Sequence, residues 1–238
     1  MTKRIIKPEE IALTLDHSLL RPELTVNEIK DGCKLAIKYK CISVCVRPSD
    51  LSIVTESLKG SSVLSTTVIG FPHGTATTES KIFEISDAIA KGAVEVDMVM
   101  NYARFLSGEF GYVEKEIALA ADAAHKDNAL IKIIFENHYL TTEQIIQCCK
   151  ICKRNRVDFI KTSTGYAPSG SKISDLITMV QHSEGMKVKA AGGVRTLDDA
   201  LGVIATGTVR IGTRASQEIM EEANLRAAKG ELFIMENK

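Results

Sequence analysis

The chain has 238 residues, of which 45% are hydrophobic and 25% are charged, an ordinary composition for a globular protein with a substantial core. Thirty basic residues balance thirty acidic ones, so the overall charge does not indicate a nucleic-acid partner or an anionic membrane surface. No apolar run approaches the length of a membrane span, and the first residues lack the pattern of a signal peptide. We expect a cytoplasmic protein that binds neither nucleic acid nor membrane.

Eight short β-rich runs recur along the chain. Most of them are apolar on both faces, as expected for the strands of a parallel sheet that is covered on both sides. The predicted strands are Leu13–His17, Ile42–Val46, Val63–Ile69, Val94–Met100, Leu130–Glu136, Val157–Thr162, Lys187–Ala191 and Val209–Gly212.

An amphipathic run follows each predicted strand, and a further short helix is expected near Pro8–Ala12. The segments TVNE, TTEQ and TLDD each begin with threonine and place an acid or an amide in the first turn, which is typical of a helix start. The predicted helices are Thr25–Lys38, Ser49–Lys59, Thr77–Lys91, Tyr112–Lys126, Thr142–Arg154, Ser171–His182, Thr196–Ala205 and Ser216–Ala228.

Eight strand–helix units in a chain of this length predict an α/β fold of the (β/α)8 TIM-barrel type, with a short extra N-terminal helix. A doubly wound open sheet is the alternative, but no feature marks the reversal of strand order that such a sheet requires. No linker, low-complexity segment or change in composition divides the chain. We therefore expect a single domain over residues 1–238.

Six cysteines are present, and Cys148, Cys149 and Cys152 form the segment CCKIC inside a helical pattern. This spacing suits either a metal site or a buried helix face with reduced thiols. A structural zinc site needs four ligands, and no second cysteine or histidine pair has the required spacing. We expect buried, reduced thiols, which also fit a cytoplasmic location.

Two lysines lie near the predicted C-terminal ends of strands six and seven, where the active sites of such barrels are found. Alternation puts Lys161 on one face of strand six with Val157 and Phe159, and Lys189 on one face of strand seven with Lys187 and Ala191. If Lys161 and Lys189 both point inward, they are neighbours on adjacent strands near the top of the barrel. Repulsion between two ammonium groups and an apolar environment would both lower a lysine pKa from its usual ~10.4. A neutral amine can attack a carbonyl group and form a Schiff base. The alternative is that either lysine reaches solvent or pairs with a carboxylate such as Asp97.

Asp97, in the predicted fourth strand, has two possible roles. It is either a structural partner for a lysine or a proton relay in Schiff-base chemistry. Glu95 shares its face of the strand one layer lower, and the sequence pattern does not separate the roles of the two acids. Two lysines on adjacent strands with an acid on a third strand favour the catalytic interpretation.

Glycine-bearing segments follow the last two predicted strands, AAGGVRT after strand seven and RIGTRAS after strand eight. In (β/α)8 proteins these two loops often bind phosphate, since glycine lets backbone N–H groups approach an anion and arginine can bind it through two hydrogen bonds. Ordinary turn chemistry also uses glycine and is the alternative. The position of both segments favours a phosphate site.

Four segments together resemble the deoxyribose-phosphate aldolases, a family of class I aldolases: LDHSLL, VEVDMVMN, FIKTSTG and KVKAAGGVR. The resemblance runs in order from about Leu15 to Gly212. It implies a (β/α)8 barrel that reversibly cleaves 2-deoxy-D-ribose 5-phosphate to acetaldehyde and D-glyceraldehyde 3-phosphate, without a metal or another cofactor. It also implies a small phosphorylated sugar as substrate and is consistent with a homodimer.

The resemblance also assigns roles to individual residues. Lys161 matches the Schiff-base lysine, Lys189 the neighbour that lowers its pKa, and Asp97 the acid of the proton relay. The implied substrate-binding residues are Asp16, Cys45 and Thr164, and the implied phosphate-binding residues are Gly165, Gly192, Gly193, Val194, Arg195, Gly212 and Arg214.

The chain departs from the family pattern at three places. In GTRAS, Arg214 and Ala215 stand where small hydroxyl residues are usual, and Arg47 is a cation where a neutral residue is common. The chain ends in ELFIMENK, without the C-terminal tyrosine that assists proton transfer in some members. An extra arginine either strengthens phosphate binding or recognises a second anionic group. Two alternatives therefore remain: a Schiff-base aldolase for another phosphorylated sugar, and a non-catalytic barrel that binds a sugar phosphate.

Overall fold

The computed structural model describes residues 2–236, apart from the side chain of Glu236. Eight parallel strands form a closed barrel in chain order, and the last of them pairs with the first. This confirms the predicted (β/α)8 architecture. The barrel strands are β2 (Leu15–Leu19), β3 (Ser43–Val46), β4 (Leu64–Ile69), β5 (Glu95–Val99), β6 (Leu130–Ile134), β7 (Phe159–Lys161), β8 (Lys187–Ala191) and β9 (Arg210–Thr213).

Helices connect successive strands, and the short helix that precedes the barrel is present as expected. Thr25, Thr141 and Thr196 cap their helices with a capping box, which confirms the three helix starts. The helices are α1 (Pro8–Ala12), α2 (Val26–Tyr39), α3 (Leu51–Ser57), α4 (Thr78–Ala90), α5 (Tyr102–Leu106), α6 (Phe110–Lys126), α7 (Thr142–Arg154), α8 (Ile173–Gln181), α9 (Leu197–Ala205) and α10 (Ser216–Ala228).

The first barrel strand lies two residues later than predicted. Leu13 is the C-cap of α1, and the Thr14 backbone N–H donates to the Ile11 carbonyl oxygen at 2.8 Å, so both residues belong to the helix end. The prediction Leu13–His17 is therefore wrong in its start and its end. Strand β6 is shorter than predicted because Glu136 has a φ of 59°, which an extended strand does not accommodate.

Two features were not predicted. Strands β1 (Thr2–Ile5) and β10 (Phe233–Glu236) pair as an antiparallel two-stranded sheet that joins the two ends of the described chain. Helix α5 occupies the loop after β5, where Asn101 caps it by accepting from the Arg104 backbone N–H at 3.1 Å. Within residues 2–236, no helix is both long enough and apolar enough to cross a membrane.

All six cysteines are buried and free of disulfides, as expected. Cys148, Cys149 and Cys152 lie on the side of α7 that packs into the core between helix and barrel. Burial raises the pKa of Cys149 to about 12, which makes it a protonated thiol at neutral pH.

The barrel strands alternate between an apolar outer face and a polar inner face. Val44, Ile131, Ile133 and Ile160 are fully buried among the surrounding helices. The other face carries acids and bases from strands that are not neighbours, yet these side chains touch one another across the interior. The alternation thus brings the ionisable groups of several strands together inside the barrel.

Candidate active site

A cavity of about 660 Å³ opens at the C-terminal ends of the barrel strands. Lys161 and Lys189 lie at it, together with every residue predicted to bind substrate or phosphate. Asp97 contacts both lysines but is fully buried and does not line the cavity. The structure therefore gathers all the predicted site residues at one end of the barrel, with Asp97 beneath the others.

Lys161, the last residue of β7, is 2% exposed. Its Nζ donates to Asp97 Oδ2 at 2.7 Å, and Lys189 is its direct register partner on β8. Burial lowers the pKa of Lys161, the contact with Asp97 opposes this, and the nearby Lys189 ammonium lowers it further. The net direction is downward, and burial is the largest cause.

Lys189 is held between two carboxylates. Its Nζ donates to Asp16 and, at 2.6 Å, to Asp97 Oδ2. Burial alone would lower the pKa of Lys189, but the two carboxylates raise it above the ordinary lysine value. Lys189 is thus an ammonium group at neutral pH. Lys161 and Lys189 both donate to Asp97, so this carboxylate offsets the repulsion between them. The alternative interpretation of the sequence, in which a lysine pairs with Asp97, predicted this contact.

Asp97 is the common partner of three lysine side chains. Its Oδ2 accepts from Lys161 and Lys189, while its Oδ1 lies 2.9 Å from Lys132 Nζ at an angle unsuited to a hydrogen bond. Burial would raise the pKa of Asp97, but the three lysines hold it well below its usual range. The carboxylate stays ionised in the barrel interior.

Asp16 and Cys45 form another part of the cavity floor. Asp16 accepts from Lys189 and, at 2.8 Å, from Ser43 Oγ, and burial raises the pKa of Cys45 to about 12. Ligand atoms of Asp16, Cys45 and Asp97 lie within 4.8 Å of one another, close enough to share a metal ion. Both carboxylates already bind ammonium groups, so a metal cation would meet strong repulsion there. The arrangement suits amine chemistry.

A second layer of charges lies below this site and was not anticipated. Lys132 Nζ lies 2.5 Å from Glu95 Oε2, and Arg210 donates to both oxygens of Glu95 at 2.7 and 3.2 Å. Burial would raise the pKa of Glu95, but Lys132 and Arg210 lower it to about 2. The structure therefore separates the two acids: Glu95 binds the lower cations, and Asp97 binds the site lysines.

The loops after β7 and β8 pack closely at the predicted phosphate end of the cavity. Gly192 and Gly193 have φ values of 80° and 91°, and a side chain on Gly170 would collide with the Gly192 carbonyl. The Ser171 backbone N–H donates to that carbonyl oxygen at 3.0 Å, and Thr213 Oγ1 donates to the Val194 carbonyl oxygen at 2.7 Å. These contacts hold the three loops after β7, β8 and β9 as one wall.

Glu136, an acid for which the sequence suggested no role, holds Thr164 in place. Glu136 accepts hydrogen bonds from the Thr164 backbone N–H, at 3.3 Å, and from its hydroxyl group. Burial raises the pKa of Glu136, although the hydrogen bonds from Thr164 oppose this shift. Glu136 therefore positions the loop after β7 by holding Thr164.

The two unusual arginines have different positions. Arg214 is exposed and lines the cavity. Arg47 lies outside it: its guanidinium group donates to Asp50 and to the carbonyl oxygens of Arg21, Pro22 and Leu24. Its donors hold the loop between β2 and α2, so Arg47 does not line the cavity as Arg214 does.

The family model for the DeoC/LacD family aldolases matches residues 10–215. The chain belongs to this aldolase family. Its membership confirms the resemblance drawn from the four motifs.

Relatives in the DeoC/LacD family are similar over nearly their whole length. A deoxyribose-phosphate aldolase from Clostridium perfringens is 45% identical over 90% of this chain and 95% of its own, and one from a Thermoanaerobacter species is 43% identical over 90% and 97%. Among solved structures, a tetrameric deoxyribose phosphate aldolase from Aeropyrum pernix superposes with a TM-score of 0.86 at 27% identity, over 92% of each chain.

Proposed function

We propose that the protein is a class I aldolase that reversibly cleaves 2-deoxy-D-ribose 5-phosphate to acetaldehyde and D-glyceraldehyde 3-phosphate. The observation that carries this proposal is the buried Lys161 amine at the cavity floor, next to an ionised Asp97 that also binds Lys189. The names of the family relatives support the choice of substrate.

Lys161 is the proposed nucleophile. Its pKa is lowered chiefly by burial, so a larger fraction of it is neutral near pH 7 than for an exposed lysine. The neutral amine attacks C1 of the open-chain aldehyde and gives a carbinolamine. Loss of water, which needs a proton on the leaving hydroxyl group, then gives a protonated imine on Lys161.

The protonated imine accepts the electrons of the bond that breaks. As the C2–C3 bond cleaves, the C3 hydroxyl group loses its proton and becomes the aldehyde of glyceraldehyde 3-phosphate, while C1 and C2 remain on Lys161 as an enamine. Protonation of the enamine at C2 and hydrolysis release acetaldehyde. We assign the proton transfers to Asp97 and Lys189, which share a hydrogen bond at 2.6 Å next to Lys161.

The remaining predicted residues orient the substrate. Asp16 and Cys45 lie at the floor near the proposed position of the sugar hydroxyl groups, and Thr164 lies between the floor and the loop wall. The glycine-bearing loops after β7, β8 and β9 would bind the phosphate group, with Arg195 and Arg214 supplying positive charge. These steps use side chains and backbone groups of this chain alone.

Three further properties stay predictions. We propose a single domain, a cytoplasmic location and a homodimer as the working assembly. The Aeropyrum pernix relative is described as a tetramer, so measurement of the molar mass in solution distinguishes the dimer from that assembly.

A coupled assay for glyceraldehyde 3-phosphate tests the proposed function. The purified protein should release this product from 2-deoxyribose 5-phosphate, and the same assay run with other phosphorylated aldehydes and ketones should show weaker turnover. Clear preference for another phosphorylated sugar would support the alternative aldolase. Tight binding of the sugar phosphate without turnover would contradict catalysis and support the non-catalytic barrel.

A further inference from the structure

We propose that Lys132, beneath the candidate active site, is a positioning residue that keeps the Lys161 amine uncharged by sharing Asp97 with it. This inference rests on the proposed function, in which Lys161 is the Schiff-base lysine. It concerns a residue that lies in the middle of β6, in the apolar segment LIKII, and is fully buried.

Lys132 acts from a position that substrate does not reach. Its side chain is 0% exposed and is not part of the cavity wall. Its Nζ lies 2.9 Å from Asp97 Oδ1, on the opposite side of the carboxylate from Lys161, and 2.5 Å from Glu95 Oε2. Any effect of Lys132 on the reaction must therefore be electrostatic, acting on Lys161 across the barrel interior or through the two acids.

The barrel interior is close to electrical balance, and the balance depends on Lys161. In the contiguous cluster of charged side chains, four groups are bases and three are acids. With Lys161 neutral, three positive charges face three negative ones; with Lys161 protonated, one positive charge is left over. A buried charge without compensation is costly. The cluster consists of the bases Lys132, Lys161, Lys189 and Arg210 and the acids Asp16, Glu95 and Asp97.

The other ionisable groups that face Lys161 do not alter the effect of removing Lys132. Asp16 and Cys45 approach from β2 and β3, and Glu136 lies beyond the end of β6 with its carboxylate on Thr164. Lys189 approaches from β8 and Asp97 from β5. Lys132 contacts Asp97 directly, so its loss would leave more of the Asp97 charge to hold a proton on Lys161.

The size of the effect follows from Coulomb's law. A unit charge removed at roughly 6 Å, with an effective dielectric constant near 20, shifts the pKa of a neighbouring group by about one to two units. In Lys132→Met the midpoint for appearance of the free Lys161 amine should therefore rise by about one to two pH units. At neutral pH this corresponds to a loss of roughly 10- to 100-fold in imine formation, which higher pH would restore.

Glu95→Gln changes the charge of the cluster in the opposite direction and keeps a side chain of nearly the same shape. It removes a negative charge from the same cluster, so the midpoint should move to lower pH. The double variant Lys132→Met/Glu95→Gln removes one charge of each sign, and its midpoint should lie between those of the single variants. A purely structural role for Lys132 would leave the midpoint of Lys132→Met at its wild-type value and that of the double variant equal to that of Glu95→Gln.

The experiment measures the initial rate at which acetaldehyde and cyanoborohydride modify Lys161, from about pH 5 to about pH 10, by mass spectrometry of the intact protein and of its peptides. Lys81→Met is the matched control, since Lys81 is a fully buried lysine paired with Glu116 outside the barrel interior. This control should lower the stability of the protein without shifting the midpoint for Lys161.

An upward shift in Lys132→Met together with a downward shift in Glu95→Gln supports the inference. A slower reaction at every pH with an unshifted midpoint in Lys132→Met overturns it and leaves the proposed function intact. Absence of modification at Lys161 in the wild-type protein overturns the proposed function and this inference together. If Lys132→Met does not fold alone, the double variant Lys132→Met/Glu95→Gln is compared with Glu95→Gln: a higher midpoint in the double variant supports the inference, and equal midpoints overturn it.

Discussion

The single carboxylate of Asp97 contacts both Lys161 and Lys189, yet the pKa values of these two lysines shift in opposite directions. Lys161 has one carboxylate partner, Asp97, whereas Lys189 has two, Asp16 and Asp97. Burial therefore dominates for Lys161 and lowers its pKa, while the paired acids dominate for Lys189 and raise its pKa. The lowered pKa of Lys161 and the raised pKa of Lys189 follow from the number of acid partners that each lysine has within residues 2–236.

Arg214 carries a prediction about substrate affinity. Its side chain lines the cavity at the wall that we propose for the phosphate group. In Arg214→Ser, KM for 2-deoxyribose 5-phosphate should rise about tenfold, equivalent to ~1.4 kcal/mol, with little change in kcat. The comparison substrate is unphosphorylated 2-deoxyribose, for which KM should not change, measured by acetaldehyde release.

The control for Arg214→Ser is Arg104→Ser, which removes an exposed arginine paired with Glu109 away from the cavity. It should leave KM for both sugars unaltered. An equal loss of affinity for phosphorylated and unphosphorylated sugar in Arg214→Ser would show that Arg214 does not bind the phosphate group.

At the residue scale, the alternation of side chains along a strand indicated where two lysines near strand ends could point into the barrel, and both do. Lys161 and Lys189 were found because a cation at the end of an apolar strand is conspicuous, and they are register partners. Lys132 was missed, although a lysine between apolar residues in LIKII gives a similar signal. Arg210 was missed because nothing in one strand shows that its partner, Glu95, comes from the opposite side of the barrel.

At the element scale, a buried ion pair joins helices α4 and α6 to the end of β5. Lys81 Nζ donates to Glu116 Oε1 at 2.9 Å and to the carbonyl oxygens of Gly74 and Val99, while Glu116 Oε2 accepts from the Asn101 backbone N–H. Burial lowers the pKa of Lys81 and raises the pKa of Glu116. Each charge is thus tolerated only because the other is present.

Loss of one partner of this pair should be costly. Lys81→Met leaves the Glu116 carboxylate buried without its cation, and we expect the free energy of unfolding to fall by about 3–5 kcal/mol in urea denaturation. The double variant Lys81→Met/Glu116→Gln should recover a large part of this loss, because the amide oxygen still accepts from the Asn101 backbone N–H.

Lys91→Met, at the C-cap of α4, is the matched control. Lys91 pairs with Asp87 at 2.6 Å, but both side chains are more than 40% exposed, so this change should cost less than about 1 kcal/mol. Similar losses in Lys81→Met and Lys91→Met would refute the account of the buried pair.

Helix limits were more predictable than strand limits. The predicted ranges of α7 and α10 agree with the structure, and α7 has both a clear polar–apolar period and a threonine cap at its start. Strand β2 was misplaced because Leu13 and Thr14 look like strand residues, while local backbone hydrogen bonds to Glu9 and Ile11 keep them at the end of α1. Helix α5 was missed because five residues are too few to show a period.

At the scale of the whole molecule, the barrel was predictable from repetition. Eight strand–helix units fix its topology, and the rule that active sites lie at the carboxyl ends of barrel strands places the cavity. The pairing of β1 with β10 was not predictable, because it joins segments more than 200 residues apart that carry no mutual signal in the sequence. The charge cluster likewise exists only once the barrel closes and brings β2, β5 and β8 face to face.

The most direct test of the proposed mechanism is to identify the residue to which substrate becomes covalently attached. The intact wild-type protein is incubated with 2-deoxyribose 5-phosphate, reduced with borohydride, and analysed by peptide mass spectrometry, with Lys161→Arg as the control that keeps the charge but cannot supply a neutral amine. The Schiff-base mechanism predicts one adduct per chain, on Lys161, and no adduct in Lys161→Arg. An adduct on Lys189 or Lys132, or full aldolase activity in Lys161→Arg, would contradict it.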